Sequence, residues 1–158
     1  MNRKILCAAA CIVCVVVFGT AALAADMSVG TWKVNLAKSK FDPAGLAPKS
    51  QSCKNEPAGT GVKVTCDVVD SQGKSVHYEF TGNYDGKDVA VKGDPNRDMT
   101  ALKKTDDYTY EATNMKGSKV TTKTHTVYAR DGKSRTITVT GTNPQGQKVT
   151  NTIFWDKQ

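Results

Sequence analysis

The chain has 158 residues, with 22 Lys and Arg against 15 Asp and Glu, a formal charge of +7 and 7% aromatic residues. That length is one domain's worth, and basic residues without an arginine-rich or aromatic-interleaved stripe argue against nucleic acid as a partner. Two histidines and five cysteines leave little material for a metal centre, which needs three or four converging ligands.

The first segment reads as an address. Arg3 and Lys4 precede an apolar run from Ile5 to Leu23 that closes on Ala22-Leu23-Ala24. A basic start, an apolar middle and a small-x-small site make a secretory signal peptide. Cleavage after Ala24 assigns residues 1–24 to the signal and 25–158 to one β-barrel domain, and it removes Cys7, Cys11 and Cys14. The rival is an uncleaved anchor of about 20 apolar residues. A lipoprotein needs a cysteine at the end of the run, whereas Cys11 and Cys14 stand in its middle. Without Arg3 and Lys4 the charge falls to +5. A periplasmic or secreted location follows, and there the two remaining thiols, Cys53 and Cys66, are expected to form a disulfide.

Hairpin geometry supports that pairing. A register that opposes Cys53 and Cys66 also opposes Glu56 with Lys63 and Pro57 with Val62, and leaves Ala58-Gly59-Thr60-Gly61 as the loop. Opposed Cβ atoms lie about 4.5 to 5.5 Å apart, near disulfide reach. Closing so short a loop stabilises by about 3 kcal/mol on the chain-entropy model. A redox-active pair, the alternative, lacks the C-x-x-C spacing.

Ten strands are read in chain order: Gly30 to Leu36, Ser50 to Glu56, Val62 to Asp70, Ser75 to Gly82, Asp88 to Lys92, Asp98 to Lys104, Tyr108 to Asn114, Ser118 to Arg130, Arg135 to Thr142 and Lys148 to Trp155. Turn signals such as Asp85-Gly86, Asp131-Gly132 and Pro144-Gln145-Gly146 separate them. Alternation is plainest in SVHYEFTG, where Val76, Tyr78 and Phe80 share one face and His77 and Glu79 the other. The strand Ser118 to Arg130 has no clear apolar side. One wet face per strand excludes an outer-membrane barrel, whose outside would be apolar. An all-β, antiparallel, up-and-down meander of this size is expected to close, because closure removes exposed edges.

A barrel of about ten strands is wider than one its side chains just fill. The inward positions are mostly Val, Ala, Ile and Thr with few large rings, and the candidates for the lining are Trp32, Val64, Tyr78, Phe80, Val91, Tyr110, Ile137, Val139 and Trp155. They predict a cavity. The alternative is a flattened barrel filled by Trp32, Phe80, Tyr108, Tyr110 and Trp155.

The start of this domain carries a resemblance. Val29 to Pro43 reads VGTWKVNLAKSKFDP, which resembles the opening strand of calycins, the superfamily of lipocalins and fatty-acid-binding proteins, with their G-x-W. Gly30-Thr31-Trp32-Lys33 is especially similar to fatty-acid-binding proteins, which have ten strands and about this length. The segment is also similar to small exported bacterial proteins that open G-T-W-K-x-N-x-A-K-S-K-F. The departures bear on function. The family's helical lid is replaced by a stretch that Pro43, Gly45 and Pro48 reduce to about one broken turn, so an open mouth is expected. Ile153 and Trp155 stand where the resemblance would place the Arg-x-Tyr carboxylate clamp. Thr105 to Tyr110, TDDYTY, is similar to a lipocalin turn with an extra Asp, and no arginine follows Arg135 to cover Trp32 as lipocalins arrange.

Arg135 shares parity with Ile137 and Val139 and so begins on the apolar face of its strand. A half-buried guanidinium there would bind a carboxylate or phosphate bidentately. At a strand end, the plainer alternative is snorkelling to water at the rim. Lysines beside turns, as in Gly73-Lys74, Gly86-Lys87 and Gly132-Lys133, read as solvated surface divided between the two ends.

Chemistry beyond binding has thin material. His77 and His125 lie on different strands, and Asp94, Asn96 and Asp98 have calcium-like intervals without the Gly or distant Glu of a calcium loop. No catalytic motif appears, so the expectation is not an enzyme, without cofactor or metal. It is an exported, monomeric, lipocalin-like barrel holding a small apolar or amphipathic molecule at the nine inward residues and Arg135. An envelope adaptor or inhibitor that uses the barrel's outer surface is the alternative.

Overall fold

The structure, a computed structural model, describes residues 26–158, so the signal assignment and its three cysteines lie outside the described residues. Ten strands form one antiparallel meander: β1 Gly30–Lys40, β2 Ser50–Ala58, β3 Gly61–Val69, β4 Ser75–Asn83, β5 Asp85–Ala90, β6 Met99–Lys104, β7 Thr109–Lys116, β8 Lys119–Tyr128, β9 Ser134–Thr142 and β10 Lys148–Lys157. Among the described residues the one helical element is a 3-10 turn at Ala44–Leu46, between β1 and β2.

Every sequential pair except β4 and β5 is laddered, and β1 also pairs with β10, so the sheet runs β4-β3-β2-β1-β10-β9-β8-β7-β6-β5. Its two edges meet at a seam. There Glu79 and Lys92 exchange backbone hydrogen bonds of 3.0 and 2.9 Å, the one bridge between the edges. Gly93, at φ +85°, lets the chain pass the β4 backbone, for a Cβ there would collide with the His77 carbonyl. The result is a nearly closed barrel.

Three local details refine the expected elements. Cys53 opposes Cys66, Glu56 opposes Lys63 and Pro57 opposes Val62 as expected, and Ala58 also pairs with Gly61. The hairpin loop is therefore Gly59-Thr60 alone, with Gly59 at φ +59° in its first position, where a tight primed turn takes glycine. Strand β1 continues to Lys40 because it carries a bulge. Its register against β10 shifts between Asn35 and Lys40. Side chains replace the interrupted ladder: Asn35 Oδ1 accepts from the Lys38 N–H at 3.2 Å, and Ser39 Oγ accepts from the Phe154 N–H at 2.9 Å. Strand β5 starts earlier than expected and stops at Ala90.

Consecutive connections alternate between the barrel's ends. Residues 26–29, 59–60, 84, 105–108 and 129–133 lie at one end, and 41–49, 70–74, 91–98, 117–118 and 143–147 at the other. The core belongs to the first. Trp32, Val34, Cys53, Cys66, Tyr110, Tyr128 and Trp155 form its buried cluster. Trp32 opposes Cys53 across the β1–β2 ladder, so the Cys53–Cys66 disulfide, with Cα atoms 4.1 Å apart, ties down the strands beneath it.

Candidate ligand-binding cavity

One end of the barrel is closed by aromatic rings. Trp32 meets Tyr128 edge-on with centroids 5.4 Å apart, Tyr128 meets Tyr110 at 5.2 Å, and Tyr110 meets Tyr84 at 5.1 Å. Such T-shaped contacts satisfy the ring quadrupoles. The polar edges of the rings find partners in the segment before β1. Trp32 Nε1 donates to the Ser28 carbonyl at 2.9 Å, and the Tyr84 and Tyr110 hydroxyls donate to the Asp26 carboxylate at 2.7 and 2.8 Å. Burial first, and then the carboxylate each hydroxyl faces, raises the pKa of Tyr110; the same two influences raise that of Tyr84. Burial alone would raise Asp26 as well, but hydrogen bonds from Tyr84, the Ser28 N–H and Tyr110 outweigh it and hold the carboxyl below its ordinary value.

Arg135 lies on this plug. In the sheet register it opposes Trp155 on one side and Tyr128 on the other. Its guanidinium sits 4.6 Å from the Trp32 ring centroid and 4.8 Å from that of Trp155, and Nη1 donates to the Tyr128 hydroxyl at 3.1 Å. The residue is 7% exposed, so it is not a rim arginine snorkelling to water. Among the described residues no carboxylate pairs with it, and both its Nε and Trp155 Nε1 are buried without a partner. Arg135 itself covers Trp32, the position for which the sequence offered no later arginine.

Above the plug the barrel is hollow. A cavity of about 610 Å³ runs from Arg135 and Trp155 toward the opposite end, where Leu46 and residues of the 70–74, 91–98 and 143–147 connections line it. Its walls differ. Strands β3, β4, β9 and β10 contribute Val62, Val64, Phe80, Ile137, Val139 and Ile153. Strands β6 to β8 contribute Thr100, Asn114, Thr122, Thr124 and Thr126. The polar wall is internally bonded: Asn114 Oδ1 accepts from Thr100 at 3.0 Å and from Arg97 Nη1 at 2.7 Å, while Asn114 Nδ2 donates to Thr122 at 3.0 Å. Arg97 also pairs with Asp94 at 2.9 Å and lies over Tyr78 and Phe80, 4.9 and 5.5 Å from their centroids. It thereby holds the 91–98 connection against β4 and β7 across the seam.

Eight of the ten candidate ligand-binding residues line this space: Val64, Tyr78, Phe80, Tyr110, Arg135, Ile137, Val139 and Trp155. Trp32 does not, because it is wholly buried beneath Arg135. Val91 does not either; it is buried in the connection after β5, its N–H bonded to the Asp98 carbonyl at 2.8 Å. The aromatics expected to fill a flattened barrel instead separate. Trp32, Tyr110 and Trp155 join the buried cluster, Phe80 lines a wall, and Tyr108 packs under Arg130 at 5.3 Å.

Sequence reasoning missed the polar wall. Strand β8 turns Thr122, Thr124, Thr126 and Tyr128 inward, with exposed Lys123, His125 and Val127 outward. Only the shared parity of the three threonines with Tyr128 signalled this. Asn114 was legible by the same rule from Tyr110 and Ala112. Asp26, Tyr84 and Arg97 carried no periodic signal, since each stands outside a strand.

The remaining polar candidates face water or hold turns. His77 meets Asp67 at 2.7 Å and His125 meets Glu111 at 3.8 Å, all exposed side chains. Asp94 Oδ1 accepts from the Asn96 N–H at 2.9 Å, and Asp98 Oδ2 from the Gly117 N–H at 2.9 Å. Among the described residues no group of three or more His, Cys, Asp or Glu could hold a metal ion. No protein-family model matches the chain, and no curated protein matches it significantly.

Proposed function

We propose that the protein is an exported, lipocalin-like carrier that holds one small amphipathic molecule inside the barrel. The observation that carries this reading is the unfilled cavity of about 610 Å³, a volume in the range of small-molecule sites. Binding would be passive. The apolar wall desolvates the ligand's hydrocarbon, while the hydroxyls and amide of β6 to β8 orient its polar edge. Arg135 supplies the anchor, because a buried guanidinium without a carboxylate partner carries a desolvation cost that an acidic ligand group would offset. The Cys53–Cys66 disulfide supports export, since such bonds persist in oxidising compartments. Kinship with calycins gains support from Arg135 over Trp32 at the barrel floor. The surface-adaptor alternative drew its appeal from a filled barrel.

The test is native mass spectrometry of the protein purified gently from its producer, before and after solvent extraction, joined to titration with the anionic probe anilinonaphthalene sulfonate. A discrete mass of a few hundred daltons that extraction removes, and probe binding lost in Val139→Trp at unchanged circular dichroism, are the expected results. Probe binding equal in Val139→Trp and the parent would place the ligand outside the cavity and end the carrier reading. Arg135→Met should weaken an anionic probe at least tenfold, about the value of one charge-assisted hydrogen bond, and leave a neutral probe nearly unchanged.

A further inference from the structure

We propose that the open end of the barrel docks on an anionic phospholipid surface, its mouth toward the headgroups. The basis is how topology sorts charge. All five open-end connections carry a cation, counted with the strand residues that bound them: Lys40 and Lys49 on the first, Lys74 on the second, Lys92 and Arg97 on the third, Lys116 and Lys119 on the fourth, and Lys148 on the fifth. Against these eight stand Asp42, Asp70, Asp94 and Asp98, so the open end is +4. The closed end, counted alike, sets Lys104, Arg130, Lys133 and Lys157 against Asp26, Asp85, Asp106, Asp107 and Asp131, and is −1. The lysines of the Gly-Lys turns do divide between the ends, with Lys74 at the open one and Lys87 and Lys133 toward the other. The net charge does not divide.

The collar is also uncompensated. All seven lysines are exposed, and among the described residues none makes an ion pair. Three of the four aspartates are engaged locally: Asp70 accepts from the Lys74 N–H at 2.8 Å, Asp94 from Arg97 at 2.9 Å, and Asp98 from the Gly117 N–H at 2.9 Å. A ring of cations around an opening attracts an extended anionic surface. Leu46 and Val120 select a bilayer as that surface. They are 37% and 48% exposed and stand among the lysines, Leu46 on the cavity mouth itself. Exposed apolar side chains next to basic ones suit headgroups laid over hydrocarbon, and are wasted on a soluble polyanion.

Vesicle flotation of residues 25–158 tests this. The expected result is at least tenfold stronger association with phosphatidylcholine vesicles containing about one third phosphatidylglycerol than with phosphatidylcholine alone, lost at about 0.5 M salt. Lys49→Glu, Lys74→Glu and Lys119→Glu together should abolish it. The same charge change on the other half, Lys33→Glu with Lys103→Glu and Lys133→Glu, should leave most of it. No flotation of the parent at low salt overturns the docking, even if an acidic protein is captured instead; equal loss in both triple variants assigns the effect to net charge and overturns the collar. The docking stands apart from the carrier reading: Val139→Trp should still float, and a protein that floats but never binds the anionic probe would sink the carrier reading alone.

Discussion

The closed end of this barrel and its open end use the same strands for opposite purposes. At the closed end Trp32, Tyr84, Tyr110 and Tyr128 stack ring on edge and hand their polar atoms to Asp26, Ser28 and Arg135. At the open end the connections hold themselves by short side-chain bonds to their own backbone, as Asp70 does to Gln72 and Asn143 to Gln147. No large ring of that end belongs to the buried cluster. Burial of aromatic area stabilises a fold wherever it occurs, so gathering it at one end leaves the other free to stay hollow. Stability and binding are thereby separated along the barrel axis, and substitutions should sort by end.

The largest effect should come from Trp32→Ala. The indole is wholly buried, carries Arg135 on its face and donates to the Ser28 carbonyl. Truncating such a side chain costs about 3 to 5 kcal/mol, and here it also strips a buried cation of its platform. Urea unfolding measures the loss. A cost under about 1 kcal/mol would show that the plug is not where the barrel's stability resides.

How far the sequence foretold this division differs between its parts. All ten strands were legible, because turn signals and alternation act over a few residues, and so was the disulfide, whose register follows from the hairpin itself. Parity placed most of the chosen candidates on the cavity's lining, Val64, Phe80, Ile137 and Val139 among them, but not the threonines and Asn114 of the polar wall. Which end would be plugged was not legible. That depends on Asp26 and Ser28 meeting Tyr84 and Tyr110 across more than fifty positions of chain, and no local pattern encodes it. For Arg135 the choice between an inward ligand contact and the rim stayed open for a related reason: its place at a strand start is local, whereas the two tryptophans that cover it come from other strands.

A smaller effect should follow from Asp26→Asn, and its dependence on pH sharpens the comparison. The folded carboxyl titrates below the unfolded one, whose ordinary value is 3.8. Its contribution is therefore complete above that value and is lost as pH falls through the lower folded one. The parent should exceed the variant by about 1.5 to 3 kcal/mol near neutrality, the range for hydrogen bonds to a charged group. The gap should close below about pH 4. Tyr84 and Tyr110 act at the other limit. Burial and the facing carboxylate raise their folded pKa values, so their contribution is complete below about pH 10 and declines above it. Thermal melts across this span check both limbs. A gap that persists unchanged into strong acid would mean that Asp26 holds the tyrosines as well protonated as ionised.

The smallest effect should be that of Leu46→Ser. Leu46 is 37% exposed in a single 3-10 turn, and nothing of the buried cluster rests on it. Exposed positions away from caps, charges and cores usually move stability by less than about 0.5 kcal/mol, so melting should barely change. Because the side chain lines the mouth, its polarity should matter instead to what crosses or docks there. Uptake of the anionic probe and flotation with anionic vesicles should both weaken about two- to threefold, a fraction of what burying one leucine contributes. A stability loss above about 1 kcal/mol would place Leu46 in a packed lid. The open end would then be a second plug, and the division of labour along the barrel would fail where it is easiest to test.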